Sequence, residues 1–155
     1  MTETPLLTEE IRAWVGKSYP PRTGVVTARD IRKFCIATGN RDPRFLEGES
    51  AIAPPGFAGI ATGHLDTLDK LKPDGLPGES FLPKLPLPRI MAGGVEAEYM
   101  GVIRAGDTLT AVTRIHAIQE RKGRTGPLIF TTLETTVTNQ RGEEVIVERT
   151  TLIAR

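Results

Sequence analysis

The chain has 155 residues, of which 39% are hydrophobic and 25% are charged, and its formal net charge is +1. This composition excludes a disordered chain and a generally basic nucleic-acid surface, and the length suffices for a core without disulfide or metal support. We therefore expect one domain that spans residues 1–155.

Several absent features narrow the class of protein further. Cys35 is the single cysteine, which excludes an intrachain disulfide, and its apolar neighbours predict a buried, inert thiol. Two distant histidines provide no metal-ligand spacing, so we expect no metal and no other cofactor. The sequence shows neither a signal-peptide core nor an apolar run that could span a bilayer. We expect a cytoplasmic protein that binds neither nucleic acid nor membrane.

Helical patterns dominate the first third of the chain. Thr8, followed by two glutamates, predicts the start of a short helix that ends near Gly16. Residues 24–26 predict a short strand. Thr27, with an acidic residue three positions on and an apolar stripe after it, predicts a longer helix that Gly39 ends. Prolines at 73, 77, 83, 86 and 88 then predict a long, extended loop, which is either a flap or an interface arm.

The second half of the chain changes to the alternating pattern of strands. Runs rich in β-branched residues predict strands at 94–102, 108–119, 128–139 and 144–153, with glycine-containing turns between them. Four strands in succession predict an antiparallel meander. Helices first and strands afterwards indicate an α+β fold with the helices on one face of the sheet.

The turn after the longer helix carries the most informative pattern. It comprises residues 39–45 (GNRDPRF), and residues 53–59 (APPGFAG) begin a helix of small residues. With the segments at 96–99, 104–107, 121–126 and 138–143, in this order, the chain resembles the MaoC-like (R)-specific enoyl-CoA hydratases and 3-hydroxyacyl dehydratases. It is most similar to their N-terminal-type domain, which usually lacks the catalytic pair. The resemblance implies a hot-dog fold, a curved antiparallel sheet wrapped around a central helix.

The resemblance also predicts which chemistry this chain lacks. In catalytic members of that family an Asp and a His in the turn perform the proton transfers, and here Asn40 and Phe45 stand at those positions. An amide and a phenyl ring exchange no proton at any working pH. We therefore expect a non-catalytic subunit of a heteromeric hydro-lyase, inactive alone, that shapes the pocket for a fatty or bulky steroid-type acyl chain. A catalytic MaoC-like hot-dog partner would supply Asp and His for a CoA or carrier-protein thioester.

Further site residues follow from the same resemblance. Predicted substrate-binding residues are Asn40, Phe45, Gly56, Phe57, Gly93 and Gly94, with the amides of Gly56 and Phe57 facing the thioester carbonyl. Close packing against Gly56, Gly59 and Gly63 explains the small-residue helix equally well, because glycine is costly within a helix. Gly93 and Gly94 likewise indicate a close backbone approach or a bulge. Arg121, Lys122 and Arg124 of the basic turn are predicted to bind the phosphates of CoA or of a carrier-protein phosphopantetheine, although a solvated charged turn is the commoner explanation of such a sequence.

Two alternative functions stay open on the sequence. One is a homodimer that binds acyl-CoA without catalysis, and the other is a self-sufficient thioester enzyme that uses Asp42 or His64. Asp before a proline commonly orients a turn, and the spacing of His64 and Asp66 does not place them on one helix face. His116, on a strand, is interpreted as a solvated or interfacial histidine.

Overall fold

The computed structural model describes residues 6–46, 48, 51–63, 67–75 and 82–155. Within these ranges one antiparallel sheet has the strand order β1-β3-β4-β5-β2. Its strands are β1 (Arg22–Val25), β2 (Ile90–Tyr99), β3 (Thr108–Gly123), β4 (Gly126–Thr138) and β5 (Glu144–Ala154). The helices are α1 (Glu9–Arg12), α2 (Ala28–Thr38), α3 (Pro43–Leu46) and α4 (Ala58–Thr62), and a 3-10 turn follows at Leu68–Lys70.

Helix α2 begins and ends at the predicted residues. The Thr27 hydroxyl accepts the Asp30 amide at 3.0 Å, and the same hydroxyl donates to the Asp30 carboxylate at 2.7 Å. Gly39 ends the helix with a φ of 68°, the left-handed conformation that glycine adopts without penalty. Ile31 and Cys35 are fully buried, and burial raises the pKa of the Cys35 thiol. The predictions for this helix and for a buried thiol are confirmed.

One face of the sheet, the inner face, packs against the helices. A first apolar cluster joins α2 and α4 to inner-face residues such as Leu109, Ala111 and Val137. A second cluster lies towards the other end of the sheet, where Leu7 and Ile11 of the N-terminal segment contact inner-face isoleucines. The sheet therefore carries the small-residue helix α4 on its inner face, as the predicted hot-dog fold requires.

Strand pairing corrects the predicted four-strand meander. β3, β4 and β5 follow one another as predicted, but β2 pairs with β5 at the far edge and not with β3. The segment that follows β2 is hydrogen-bonded to residues 51–53 instead. The Ala53 amide donates to the Ile103 carbonyl at 2.8 Å, and the Ala105 amide donates to the Ala51 carbonyl at 3.0 Å. An alternating pattern predicts that a strand forms, but it does not determine which strand lies beside it.

Smaller differences concern element lengths. Helix α1 spans a single turn, so the predicted helix up to Gly16 is too long, and the first strand begins two residues before the predicted one. The described parts of the proline-rich loop, 73–75 and 82–88, contain no helix or strand, and Leu85 and Leu87 pack against the second apolar cluster. None of the helices in the described ranges is long and apolar enough to cross a membrane.

Candidate functional site

The turn after α2 is fixed by its own polar side chains. The side-chain oxygen of Asn40 accepts the Asp42 amide at 3.0 Å. The Asp42 carboxylate in turn accepts the Arg44 amide at 3.0 Å and the Arg44 guanidinium at 2.6 Å. These hydrogen bonds to Arg44 lower the pKa of Asp42. The geometry favours a turn-orienting role for Asp42, because its carboxylate is already bound by the amide and the guanidinium of Arg44.

Phe45 belongs to the packing around the first apolar cluster. Its side chain is half-buried against that cluster, and its carbonyl lies 4.0 Å from the Cys35 sulfur. Arg44 lies over its ring at 5.4 Å. Phe45 and Asn40 are therefore placed by the same turn, and neither position carries a group that can transfer a proton.

A cavity of about 380 Å³ lies between helix α4 and the inner face of the sheet. Its lining residues are Arg22, Gly56, Ala58, Gly59, Thr62, Gly63, Tyr99, Thr135, Val137, Ile146 and Glu148. Gly56 is therefore the one predicted substrate-binding residue that lines this cavity. Glu148 is the carboxylate in the lining, and the imidazole of His116 lies on the opposite face of the sheet.

Intramolecular acceptors occupy both amides predicted to face a thioester carbonyl. The Gly56 amide donates to the Tyr99 hydroxyl at 3.1 Å, across the mouth between α4 and β2. The Phe57 amide donates to the Pro54 carbonyl at 3.2 Å, and the Phe57 side chain is buried edge-on against Phe34. The predicted carbonyl site stays a prediction, and it requires that a ligand oxygen replace the Tyr99 hydroxyl at Gly56.

A row of polar side chains crosses the inner face beside this cavity. Arg22 donates to the Thr113 hydroxyl at 3.2 Å, and the hydroxyls of Thr113 and Thr135 are hydrogen-bonded at 2.8 Å. Glu148 is the strand neighbour of Thr135 on β5. None of the sequence motifs described above includes this row. Threonines at inward positions of otherwise apolar strands were the available signal.

The predicted glycine pair lies on the edge strand, away from the cavity. β2 changes register between Ala92 and Gly94, and a Cβ at Gly93 would lie 2.9 Å from the Ile153 side chain. The prediction that this pair marks a bulge or a close approach is confirmed. Gly94 and Tyr99 are separated by roughly 17 Å of extended strand, so the structure does not bring the pair to Gly56.

The basic turn also lies far from the cavity. Arg121, Lys122 and Arg124 surround the turn between β3 and β4, where Arg121 stacks over the Phe130 ring at 5.1 Å. The distance along β4 from this turn to the cavity residue Thr135 is roughly 30 Å. Within one chain, phosphates held at this turn would be remote from a carbonyl held at Gly56.

The outer face of the sheet, opposite the helices, carries a buried carboxylate. Glu134 is only 5% exposed, and it accepts from Arg114 Nε at 3.0 Å and from Arg149 Nε at 2.8 Å. The pKa of Glu134 is lowered overall, because the hydrogen bonds from Arg114 and Arg149 together outweigh the opposing effect of burial. His116 lies 3.6 Å from the same carboxylate and is partly exposed. These contacts fit a solvated or interfacial histidine.

The predictions about the His64/Asp66 pair and about metal binding concern the limits of what the structure describes. His64 and Asp66 lie outside the described residues. In the described part of the chain, no group of three His, Cys, Asp or Glu side chains is close enough to hold a metal ion.

Comparison with known proteins gives a family match over most of the chain. A family model described as FAS1-like, dehydratase domain region, matches residues 13–148. A UPF0336 protein from Streptomyces coelicolor is 31% identical over 150 residues, which cover 91% of this chain and 92% of that protein.

Solved structures share the fold over nearly the whole chain. The ChsH1–ChsH2 complex from Mycobacterium tuberculosis matches with a TM-score of 0.68 and 16% identity, over 94% of this chain and 86% of that chain. The HadBC complex of the same organism, a 3R-hydroxyacyl-ACP dehydratase, matches with a TM-score of 0.62 and 21% identity, over 91% of this chain and 97% of that chain. A MaoC-like dehydratase from Rhodospirillum rubrum matches with a TM-score of 0.61 and 20% identity, over 90% of this chain and 91% of that chain. The predicted hot-dog fold and the resemblance to MaoC-like proteins are confirmed.

Proposed function

Because the chain belongs to the FAS1-like dehydratase family, whose dehydratase region covers residues 13–148, we propose that it is the non-catalytic subunit of a heteromeric hydro-lyase. The reaction is the hydration of a 2-enoyl thioester or the dehydration of the (3R)-hydroxyacyl thioester. The observation that carries the proposal is that Asn40 and Phe45 stand where catalytic members have Asp and His.

The geometry around these two residues supports a division of labour between subunits. Hydration needs one group that takes a proton from water and one that delivers a proton to the α-carbon of the thioester. The Asn40 oxygen already accepts the Asp42 amide, and Phe45 packs against the apolar cluster. The proton transfers therefore belong to a partner, and this chain contributes the wall of a pocket.

The cavity and the edge strand support a contribution to the acyl pocket. Tyr99 lines the cavity and lies at the end of β2, and every residue of β2 is exposed. A hot-dog partner that pairs with β2 brings its own active site close to this cavity. Assemblies of two different chains occur among the structural neighbours, in the ChsH1–ChsH2 and HadBC complexes. We propose a fatty or bulky acyl chain, carried on CoA or a carrier protein, as the occupant.

Reconstitution tests this proposal. Purified alone, the chain should not hydrate crotonyl-CoA above the background rate. Mixed with a hot-dog chain that carries the intact Asp/His turn, such as one encoded by a neighbouring reading frame, it should form an active complex. Replacing the partner's Asp by Asn should abolish activity, whereas the double variant Asn40→Asp/Phe45→His of this chain should leave the activity of the complex in place. Full activity of the purified chain would refute the proposal.

A second candidate, a homodimer that binds acyl-CoA without catalysis, is favoured by one observation. The cavity beside Tyr99 has a volume of about 380 Å³ within one chain, which lies within the size range of about 300–1,000 Å³ that is typical of small-molecule sites. Calorimetric titration of the purified chain with a saturated acyl-CoA separates the two functions. Tight binding to a stable homodimer, together with failure of reconstitution, would favour the binding protein.

A further inference from the structure

Charged side chains form an alternating row across the outer face of the sheet. Strand register places Arg114 of β3 opposite Glu134 of β4, Glu134 opposite Arg149 of β5, and Arg149 opposite Glu96 of β2. The signs therefore alternate from strand to strand, positive, negative, positive and negative. Opposite charges directly across neighbouring strands stabilise a sheet. The row ends at Glu96 because β2 is the edge of the sheet.

Glu96 is the member of this row that lacks a counterion. Its neighbour Arg149 is turned towards the buried Glu134, with Nε at 2.8 Å and Nη2 at 2.7 Å from the carboxylate. Glu96 itself is exposed, and its side chain forms no hydrogen bond or ion pair with any residue that the structure describes. A strand added at this edge would continue the alternation if it placed a cation beside Glu96.

The edge strand is also apolar enough to be covered. Val95 is 62% exposed and Tyr99 is 49% exposed on the inner side of β2, and Met91 is 40% exposed on the outer side. Long, open edge strands with apolar side chains are templates for pairing with another chain. The exposure supplies a reason for docking, and the charge row supplies its specificity.

Given the proposed pairing of β2 with a different hot-dog chain, we infer that this partner is selected by a Lys or Arg that it places opposite Glu96. This inference rests on the proposed heteromeric function and names the chemistry by which the partner is chosen. The cation completes a row of five charges that runs from β3 of this chain into the partner's sheet. A partner without it would leave Glu96 beside a neutral or acidic neighbour, at a cost in affinity.

A second copy of this chain fits the edge less well. β2 contains no Lys or Arg, so a paired copy can offer Glu96 a cation only from Arg89, directly before the strand. That offset register would leave Tyr99 opposite Pro86, which lies outside any strand. A partner with its own cation can instead pair along the whole of β2.

A charge-swapped copy of this chain serves as the cationic probe. The variant E96K/E98K reverses the charge of Glu96 and of Glu98, the next acidic residue on the outer side of β2. We expect wild type and this variant, mixed in equal amounts with a mass tag on one, to form mixed dimers in native mass spectrometry. At low salt, the affinity of wild type for the variant should exceed the affinity of either chain for itself by about tenfold. The preference should fall as the salt concentration is raised, because exposed charges are screened. The control variant E9K/E10K carries the same charge change on α1 and should mix with wild type without any preference.

Two results would overturn the inference. In the first, wild type and E96K/E98K mix in statistical proportions at every salt concentration. In the second, wild type alone forms a tight dimer that both E96A and R89A dissociate, which would make a second copy the occupant. Neither measurement uses catalytic activity. A failed reconstitution would therefore sink the proposed function and leave this result standing, and the converse also holds.

Discussion

The two edges of the sheet are built in opposite ways. β1 is four residues long, and α4 lies so close that a Cβ at Gly24 would approach the Ala61 carbonyl oxygen to 1.7 Å. β2 is ten residues long and exposed throughout. Short, covered edge strands prevent pairing with other chains, whereas a long, open, apolar edge invites it. One edge of the sheet is therefore short and packed against the chain's own helix, whereas the other is long and open.

The packing of α4 against β1 requires that residue 24 has no side chain. We expect Gly24→Val to lower the free energy of unfolding by more than about 3 kcal/mol, because the new atoms would have to displace the α4 backbone. Urea denaturation followed by circular dichroism measures this loss. An insoluble variant would be replaced by Gly24→Ala, which meets the same backbone atoms with a single methyl group.

A second glycine provides the matched control for this substitution. A Cβ at Gly59 of α4 would meet no atom within 4 Å. Gly59→Ala should therefore raise the free energy of unfolding by about 0.5–1 kcal/mol, the usual gain from alanine within a helix. Equal losses at both positions would show that α4 does not lie against β1 as described.

The charge row that leads to the open edge has its centre at Glu134. Glu134→Gln keeps the shape of the side chain but leaves Arg114 and Arg149 without an anion. Breaking a buried pair costs several kcal/mol and an exposed pair less than one, and these arginines are half-exposed, so we expect a loss of about 2 kcal/mol. Lys33→Gln is the control, because it breaks an exposed pair of 3.9 Å with Asp30 and should cost less than about 0.5 kcal/mol.

The same variant has a defined dependence on pH. The pKa of Glu134 is lowered in the folded chain, chiefly by Arg114. A carboxylate of this kind stabilises the fold fully above its ordinary pKa of about 4.3, and the contribution is lost as the pH falls through the lower folded value. The difference in stability between wild type and Glu134→Gln should therefore shrink below about pH 4. A difference that stays constant down to pH 2.5 would contradict the assignment.

Local signals in the sequence were sufficient for the elements but not for their arrangement. Thr27 and Gly39 determine the ends of α2 through contacts within a few residues, so the helix was predictable. The partner of β2 depends on how the connection at 100–107 is held against residues 51–53, which no alternating pattern encodes. The meander was therefore right for three strands and wrong for the first.

The same distinction applies to the site. Asn40 and Phe45 could be proposed from the sequence because they lie in one short turn whose order of residues is recognisable. Arg22, Tyr99 and Glu148 were missed, because they come from three different strands and meet only when the sheet forms around α4. A close approach was predicted at the glycines of α4. The glycine that makes it possible is Gly24 of β1, which faces the α4 backbone, whereas Gly59 of α4 has open space around it.

The smallest expected effect on stability gives the sharpest test of the two edges. Val25 ends β1 and is 60% exposed, and Val95 of β2 is 62% exposed, so the chain offers a matched pair of valines. Val25→Asp and Val95→Asp should each lower the free energy of unfolding of the isolated chain by less than about 1 kcal/mol, because both residues are mostly exposed. Thermal or urea denaturation of both variants tests this equality.

The two variants should separate only when a second chain is present. A carboxylate at position 95 would be buried without a counterion once a strand covers β2, whereas position 25 would stay in water. Val95→Asp should therefore weaken the association of wild type with the E96K/E98K probe, or with a catalytic partner, by at least about tenfold. Val25→Asp should leave that association unchanged. Equal weakening by both would mean that the short edge also takes part, and the open edge would lose its special role.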